Sequence, residues 1–358
     1  KSFNLEKISL KDGLNHKHIK SFFYLQGKLY ACIFDDGIIK IIECRKIPGQ
    51  TGESSDVLPL ITFELTDKKF SFNPNSKNYL SRDFLDKMKH NILRQTSKTL
   101  GRDLKLSNID PQEVNFLDSV VCCSECVGRG IKGCFILVRG NVTNKVMDDD
   151  AKSKDEIVPM NIGLFFDGTD IVPCLEGASD NSFWNGTFSD YNVISMNCCG
   201  NKIAFSGEKS IGRDEKPGGK QGSLDFVCIG ELFPNAENEV CFRLISSNTV
   251  EGGLKSFTFA KTKGGGSVLT TAYLDNQDNK IKFGELIKSG FSSQSANLVG
   301  IDFYKAKAEI PDRTRAENYH ITFVGGSFVL LQYQNQDKDK SSDYLVTLNK
   351  IELPIISS

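Results

Sequence analysis

The chain has 358 residues, 39% hydrophobic and 25% charged, a globular composition that excludes disorder as its general state. Its 44 basic and 45 acidic residues leave a formal charge of −1, so the clearly basic footprint of a nucleic-acid binder is absent and such a partner is not expected. No apolar run approaches the roughly 18–20 residues that a membrane-crossing helix needs, and no membrane span is expected.

Residues 1–19 hold one alternating piece, Phe3 to Leu10, read as an edge strand. Residues 20–45 follow as three apolar runs cut by Gln26-Gly27 and Asp36-Gly37. Phe22, Phe23, Tyr30, Ile33, Phe34, Ile38, Ile39, Ile41 and Ile42 are the β-branched and aromatic types that suit a pleated, half-buried surface. Asp-Gly between such runs signals a type I′ hairpin, whose central residues both need positive φ. The stretch is predicted to be a three-stranded antiparallel meander. Leu60–Leu65 and Phe70–Phe72 alternate again after a Pro- and Gly-rich loop.

Residues 81–101 break the β pattern. Phe84, Leu85, Met88, Ile92, Leu93 and Leu100 recur near the helical period, Ser81 suits an N-cap, and Gly101 suits a left-handed C-terminal position. This predicts one amphipathic helix inserted into a β-chain. Its other face carries Arg82, Lys87, Lys89, His90, Arg94 and Lys98 against Asp83 and Asp86.

Beyond it, Val120–Cys123 and Cys134–Val138 are strand-like on either side of a glycine-rich connection, and 148–156 is charged and poor in apolar residues. Asp167-Gly168 and Gly200-Asn201 predict two further hairpins. The glycine-rich segment 207–222 reads as a long loop, and like 148–156 it is expected to be mobile. Strand-like runs then continue to residue 350.

Many short strands with turn signals every few residues predict an all-β fold. The runs fall into meanders near 18–45, 114–146, 157–206, 224–245, 254–286 and 298–350, with a further unit at 56–73. Six or seven units of about fifty residues match the blades of a β-propeller, here taken as a single domain over 1–358. The alternative is two β-sandwich or barrel domains divided within 146–222. No known repeat signature accompanies the pattern: the one tryptophan, Trp184, is followed by Asn185, so no WD end is present.

Motifs that carry chemistry fare poorly. Gly128-Arg-Gly130-Ile-Lys-Gly133 has dinucleotide-fingerprint spacing but runs into the β segment Cys134–Val138 where that fingerprint requires a helix. Gly219-Lys220 is followed by Gln221, so it lacks the hydroxyl that a phosphate loop sets on Mg²⁺. Cys122, Cys123, Cys126 and Cys134 cluster, yet strand alternation sends Cys122 and Cys123 to opposite faces, and no metal or cofactor is expected. Eleven cysteines, an odd number mostly inside strand-like runs, point toward a reducing compartment, cytoplasmic or nuclear. The turn carboxylates Asp35, Asp36, Asp167, Asp170, Asp190 and Asp302 are better explained by turn chemistry than by catalysis.

The reading that remains is a non-enzymatic scaffold whose loops and faces hold another protein. Lys87, Lys89 and Arg94 are the expected partner-binding residues. The alternative is a propeller hydrolase or lectin acting on a glycan.

Overall fold

The computed structural model describes residues 7–10, 18–47, 60–75, 81–147, 153–176, 191–211, 222–250, 254–261, 269–275, 280–286, 301–309, 318–324, 327–335 and 344–351. Among them are twenty strands, one α-helix and a short 3₁₀ turn at Leu106–Asn108, arranged in mainly antiparallel sheets. The fold is all-β and propeller-like in its strand order, each strand mostly pairing with its neighbours in sequence, with one inserted helix. None of the described helices is long and apolar enough to cross a membrane. A single domain is the sequence expectation; the contacts gather into two compact units. One comprises Lys1–Ala178, Ser182–Asp190 and Leu232–Phe242, the other Ser179–Asn181, Tyr191–Glu231 and Arg243–Ser358.

The first unit opens with β1 (Lys7–Leu10), β2 (Ile19–Leu25), β3 (Lys28–Asp35), β4 (Ile38–Lys46) and β5 (Leu60–Phe72). Strands β2, β3 and β4 form the expected meander. Gln26 and Gly27 have φ of 53° and 78°, and Asp36 and Gly37 have 48° and 74°, so both turns are left-handed at both central residues. That twist matches the twist of the flanking strands. β5 is not a separate unit: it pairs antiparallel with β4, and β1 pairs parallel on its other side.

Helix α1 (Ser81–Leu100) follows, then β6 (Ile109–Gly128), β7 (Ile131–Met147), β8 (Ser153–Phe166) and β9 (Ile171–Glu176). These four strands form one continuous antiparallel ladder. The boundary expected between 146 and 157 is therefore not a boundary, because Ser153 to Glu156 pair with Asn144 to Met147 and extend β8 into the charged stretch. At the β6–β7 turn Arg129 and Gly130 both have positive φ, so the Gly128–Gly133 motif is a hairpin loop. A Cβ at Gly133 would run into the Phe165 ring and the Phe166 carbonyl, which accounts for that glycine by close packing.

Aromatic residues fill this unit's core. Phe23 and Tyr30 stack at 5.7 Å, Phe166 meets them edge-on at 6.3 and 5.3 Å, and Phe70 lies 4.9 Å from Phe166. Such offset and edge-on pairs contribute beyond their buried area.

In the second unit lie β10 (Tyr191–Cys199), β11 (Lys202–Ile211) and most of β12 (Gly222–Pro234) and β13 (Val240–Val250). Gly200 has φ of 65° while Asn201 keeps a negative φ, the pattern of a type II′ hairpin between β10 and β11. Residues 207–211, expected in a loop, pair with Gly222 to Phe226 as the end of the β11–β12 ladder. Next come β14 (Leu254–Lys261), β15 (Leu269–Asp275), β16 (Lys280–Leu286) and β17 (Ile301–Glu309), a four-stranded antiparallel sheet. Last are β18 (Asn318–Val324), β19 (Ser327–Asn335) and β20 (Tyr344–Ile351), a three-stranded one. The block expected over 298–350 is thus divided, since β17 pairs with β16 through Leu286 and Ile301.

Candidate functional site

The candidate site lies in the first unit, on the side of α1 that faces away from the core. Leu85, Met88 and Ile92 are buried where the helix meets β6, β8 and β9. Thr96 is buried with them: its Oγ1 donates to the Ile92 carbonyl at 2.7 Å and accepts from Asn144 Nδ2 at 3.2 Å. These contacts fix the helix rotation, so the residues half a turn away face outward.

The helix stops as the sequence predicts. Gly101 has φ of 65°, its N–H donates to the Lys98 carbonyl at 3.2 Å, and the Arg102 N–H donates to the Ser97 carbonyl at 3.1 Å. That is the Schellman pair of bonds, which satisfies two of the helix's last carbonyls. The chain then turns back beside the helix, and the Leu104 N–H donates to Ser97 Oγ at 3.2 Å.

Between the outer face of α1 and the returning segment 101–104 runs an open groove of about 670 Å³. His90, Arg94 and Lys98 line it at four-residue intervals, and Arg102 continues the series beyond the helix end. Leu93 and Leu104 add apolar surface, and Asp103 is the one carboxylate in its lining. No acidic residue stands three or four positions from Arg94 or Lys98 in the sequence.

Of the three residues expected to bind a partner, Arg94 lines the groove. Lys87 shares that side of the helix but is ion-paired with Glu239, whose carboxyl is held below its ordinary range by Lys87 and then by Asn235. Lys89 is two residues from Lys87, about 200° round the helix. It is half-buried beside the core face and is not among the groove residues. Charge counting along the sequence grouped the three; helical phase separates them.

Three of the turn carboxylates, Asp35, Asp167 and Asp170, are occupied locally, while Asp36 is exposed on its turn. Asp35 is paired with Lys40, whose hydrogen bond and charge hold its carboxyl below the ordinary range. Asp167 Oδ1 accepts from Thr169 N and Oγ1 at 2.7 and 2.6 Å and from Asp170 N at 2.9 Å. Asp170 Oδ1 accepts from Ile171 N at 2.8 Å. Asp190 and the Asp302 side chain lie outside the described residues, as does the Cys123 side chain. Among the described residues no three His, Cys, Asp or Glu side chains converge as metal ligands.

The sequence reading missed one charged cluster, in the second unit. Glu231 is 3% exposed on β12, ion-paired with Lys202 and Arg243, and Arg243 Nε donates to its Oε1 at 2.8 Å. Burial pushes its carboxyl up, but the hydrogen bonds and charges of Lys202 and Arg243 outweigh this and hold it below the ordinary value. The available signal was an acid set inside the apolar run Val227–Phe233. Both its oxygens are engaged, which suits an anchor between strands.

No family model matches the chain, and no curated protein matches it. Among solved structures it is similar to a GH32 beta-fructofuranosidase of Bombyx mori, at 9% identity and a TM-score of 0.34, over 78% of this chain and 54% of that one. It is also similar to a mannose phosphorylase of Leishmania mexicana, at 8% identity and a TM-score of 0.29, over 73% and 72% of the two chains. Extracellular domains 1-2 of Drosophila Semaphorin 1b align at 6% identity with a TM-score of 0.28, over 94% and 78%. The chain spans about half the length of the beta-fructofuranosidase. Likenesses this remote carry no argument about what the chain does.

Proposed function

We propose that the chain is a non-enzymatic interaction module that holds an acidic surface of a partner protein along the outer face of α1. The observation that carries this is the groove, in which His90, Arg94, Lys98 and Arg102 face a single carboxylate, Asp103. The helix dipole explains cations in the last turn, so it accounts for Lys98 and Arg102. Its effect fades within one turn, and His90 and Arg94 lie farther back. The glycan-hydrolase reading calls for two carboxylates facing one another across a pocket. Asp35, Asp167 and Asp170 are committed to their own turns and ion pairs, so the interaction reading is preferred.

The test uses the immobilised full chain to capture binding proteins from cell extract at low salt. Capture is expected to be lost with His90→Glu and Arg94→Glu together, both in the groove, and weakened by Arg94→Glu alone. The melting midpoints of these variants should hold, since exposed charges contribute little to folding. Capture that survives the double reversal sinks the proposal.

A further inference from the structure

We infer, resting on the interaction reading above, that the turn carrying Glu239 is an autoinhibitory contact, which holds Lys87 in place of a carboxylate of the acidic partner. Three observations point there: the phase of Lys87 on the helix, the build of the turn, and the exposure of the pair.

Lys87 stands in line with the groove cations. Seven residues of α-helix make nearly two turns, so Lys87 and Arg94 point within about 20° of one another, about 10 Å apart along the axis. His90 lies between them, about 60° round from Lys87. His90 and Arg94 line the groove, while Lys87, one turn closer to the start of the helix, is engaged by Glu239.

The acid is presented by a turn built around Asn235, between β12 and β13. Asn235 Oδ1 accepts from the backbone N–H groups of Glu237 and Glu239, both at 2.9 Å. The Asn235 N–H donates to the Glu239 carbonyl at 2.9 Å, and the Asn238 N–H to the Asn235 carbonyl at 3.1 Å. Asn238 takes the left-handed φ of 61° that lets the chain turn so tightly. Asn235 Nδ2 then donates to Glu239 Oε2 at 3.1 Å, and Oε1 accepts from Lys87. Lys87 and then Asn235 hold the carboxyl below its ordinary range, so it stays charged at neutral pH. The turn thus delivers a fixed anion to the helix side on which the partner's acids are to meet His90 and Arg94.

Exposure makes the contact exchangeable. Lys87 keeps 45% and Glu239 32% side-chain exposure. A pair this open contributes little to folding, and an incoming carboxylate can replace Glu239 without burying a charge. Glu237, exposed on the same turn, supplies the control for charge alone.

The experiment is fluorescence anisotropy of a labelled polyglutamate with the full chain at low salt. Glu239→Gln is expected to bind about threefold tighter than the wild type. Glu237→Gln removes an equal charge from the same turn and should gain clearly less. With Lys87→Met in the background, Glu239→Gln should gain nothing, and helix content by circular dichroism should be unchanged throughout. A Glu239→Gln that binds no tighter than Glu237→Gln, a gain that persists without Lys87, or no binding by any form overturns the inference. If His90→Glu with Arg94→Glu abolishes binding while Glu239→Gln gains nothing, the groove stands and the Glu239 contact is only a brace. If Glu239→Gln gains through Lys87 while those reversals change nothing, the masked lysine stands and the groove reading falls.

Discussion

At the scale of single residues, Glu231 and Cys44 show how burial and partners set chemistry. Glu231 is enclosed while its cations reach the surface, Lys202 at 28% and Arg243 at 48% side-chain exposure. Removing the carboxylate charge therefore leaves cations that water partly solvates. Glu231→Gln is expected to cost about 1–3 kcal/mol, less than breaking a fully buried pair. The folded carboxyl titrates below its unfolded value, so its stabilising contribution is complete above about pH 4.5 and is lost as pH falls through the depressed folded value. Melting midpoints measured from neutral into acid should show a shallower acid decline for Glu231→Gln than for the wild type. An identical decline would mean that this carboxylate is not depressed. In Cys44, burial pushes the thiol up to about 11, against an opposing hydrogen bond from the Ala31 backbone. The thiolate is the nucleophile, so Cys44 should resist iodoacetamide in the folded protein near pH 8 and react once the chain is denatured. Mass spectrometry of the labelled peptide checks this.

Among the elements, the hairpins were legible because turn chemistry is local. Asp36-Gly37 and Gln26-Gly27 adopt the double positive φ that their residue types allow. A Cβ at Gly37 would meet nothing within 4 Å, so substitution there is felt through the backbone alone. Gly37→Val should cost about 1–3 kcal/mol and Gly37→Ala less, because a β-branched side chain tolerates that φ worst. Thermal melts that fail to separate valine from wild type would count against the left-handed turn. Asp167-Gly168, expected to be the same kind of hairpin, is different. Gly168 has φ of 100° but Asp167 does not turn left-handed, because its carboxylate closes the loop onto the Thr169 and Asp170 amides. Two residues of sequence do not reveal which bonds a side chain will choose. The helix was legible from its period, and Ile92 is fully buried as the apolar face requires. Ile92→Ala should destabilise by about 2–5 kcal/mol.

On the scale of the whole molecule, the ladders bound where the chain is open to attack. The expected loop 148–156 ends inside β8 and the expected loop 207–222 begins and ends inside strands, since Ser153 pairs with Met147 and Ile211 with Gly222, while 148–152 and 212–221 lie outside the described residues. Paired backbone resists a protease, which needs an extended, unpaired stretch. First cleavages by trypsin are expected in 212–221, rich in Gly and Lys by sequence, and none in 207–211 or 153–156. Early cuts at Lys154 or Lys209 would show that these ladder ends are not formed.

Composition, period-2 alternation and turn residues were enough to determine an all-β chain with one amphipathic helix and named hairpins, because each depends on neighbours a few residues apart. How strands group into sheets depends on pairings that no local pattern encodes: β5 joins β4, β8 continues the β6–β7 ladder, and β17 belongs with β16. The candidate site shows the same division. The basic character of α1 could be read from its letters. That Arg94 lines a groove while Lys87 is held by Glu239, far away in sequence, was decided by the tertiary structure. So was the engagement of Glu231 by Lys202 and Arg243, since charges so distant along the chain meet only when their strands are brought together.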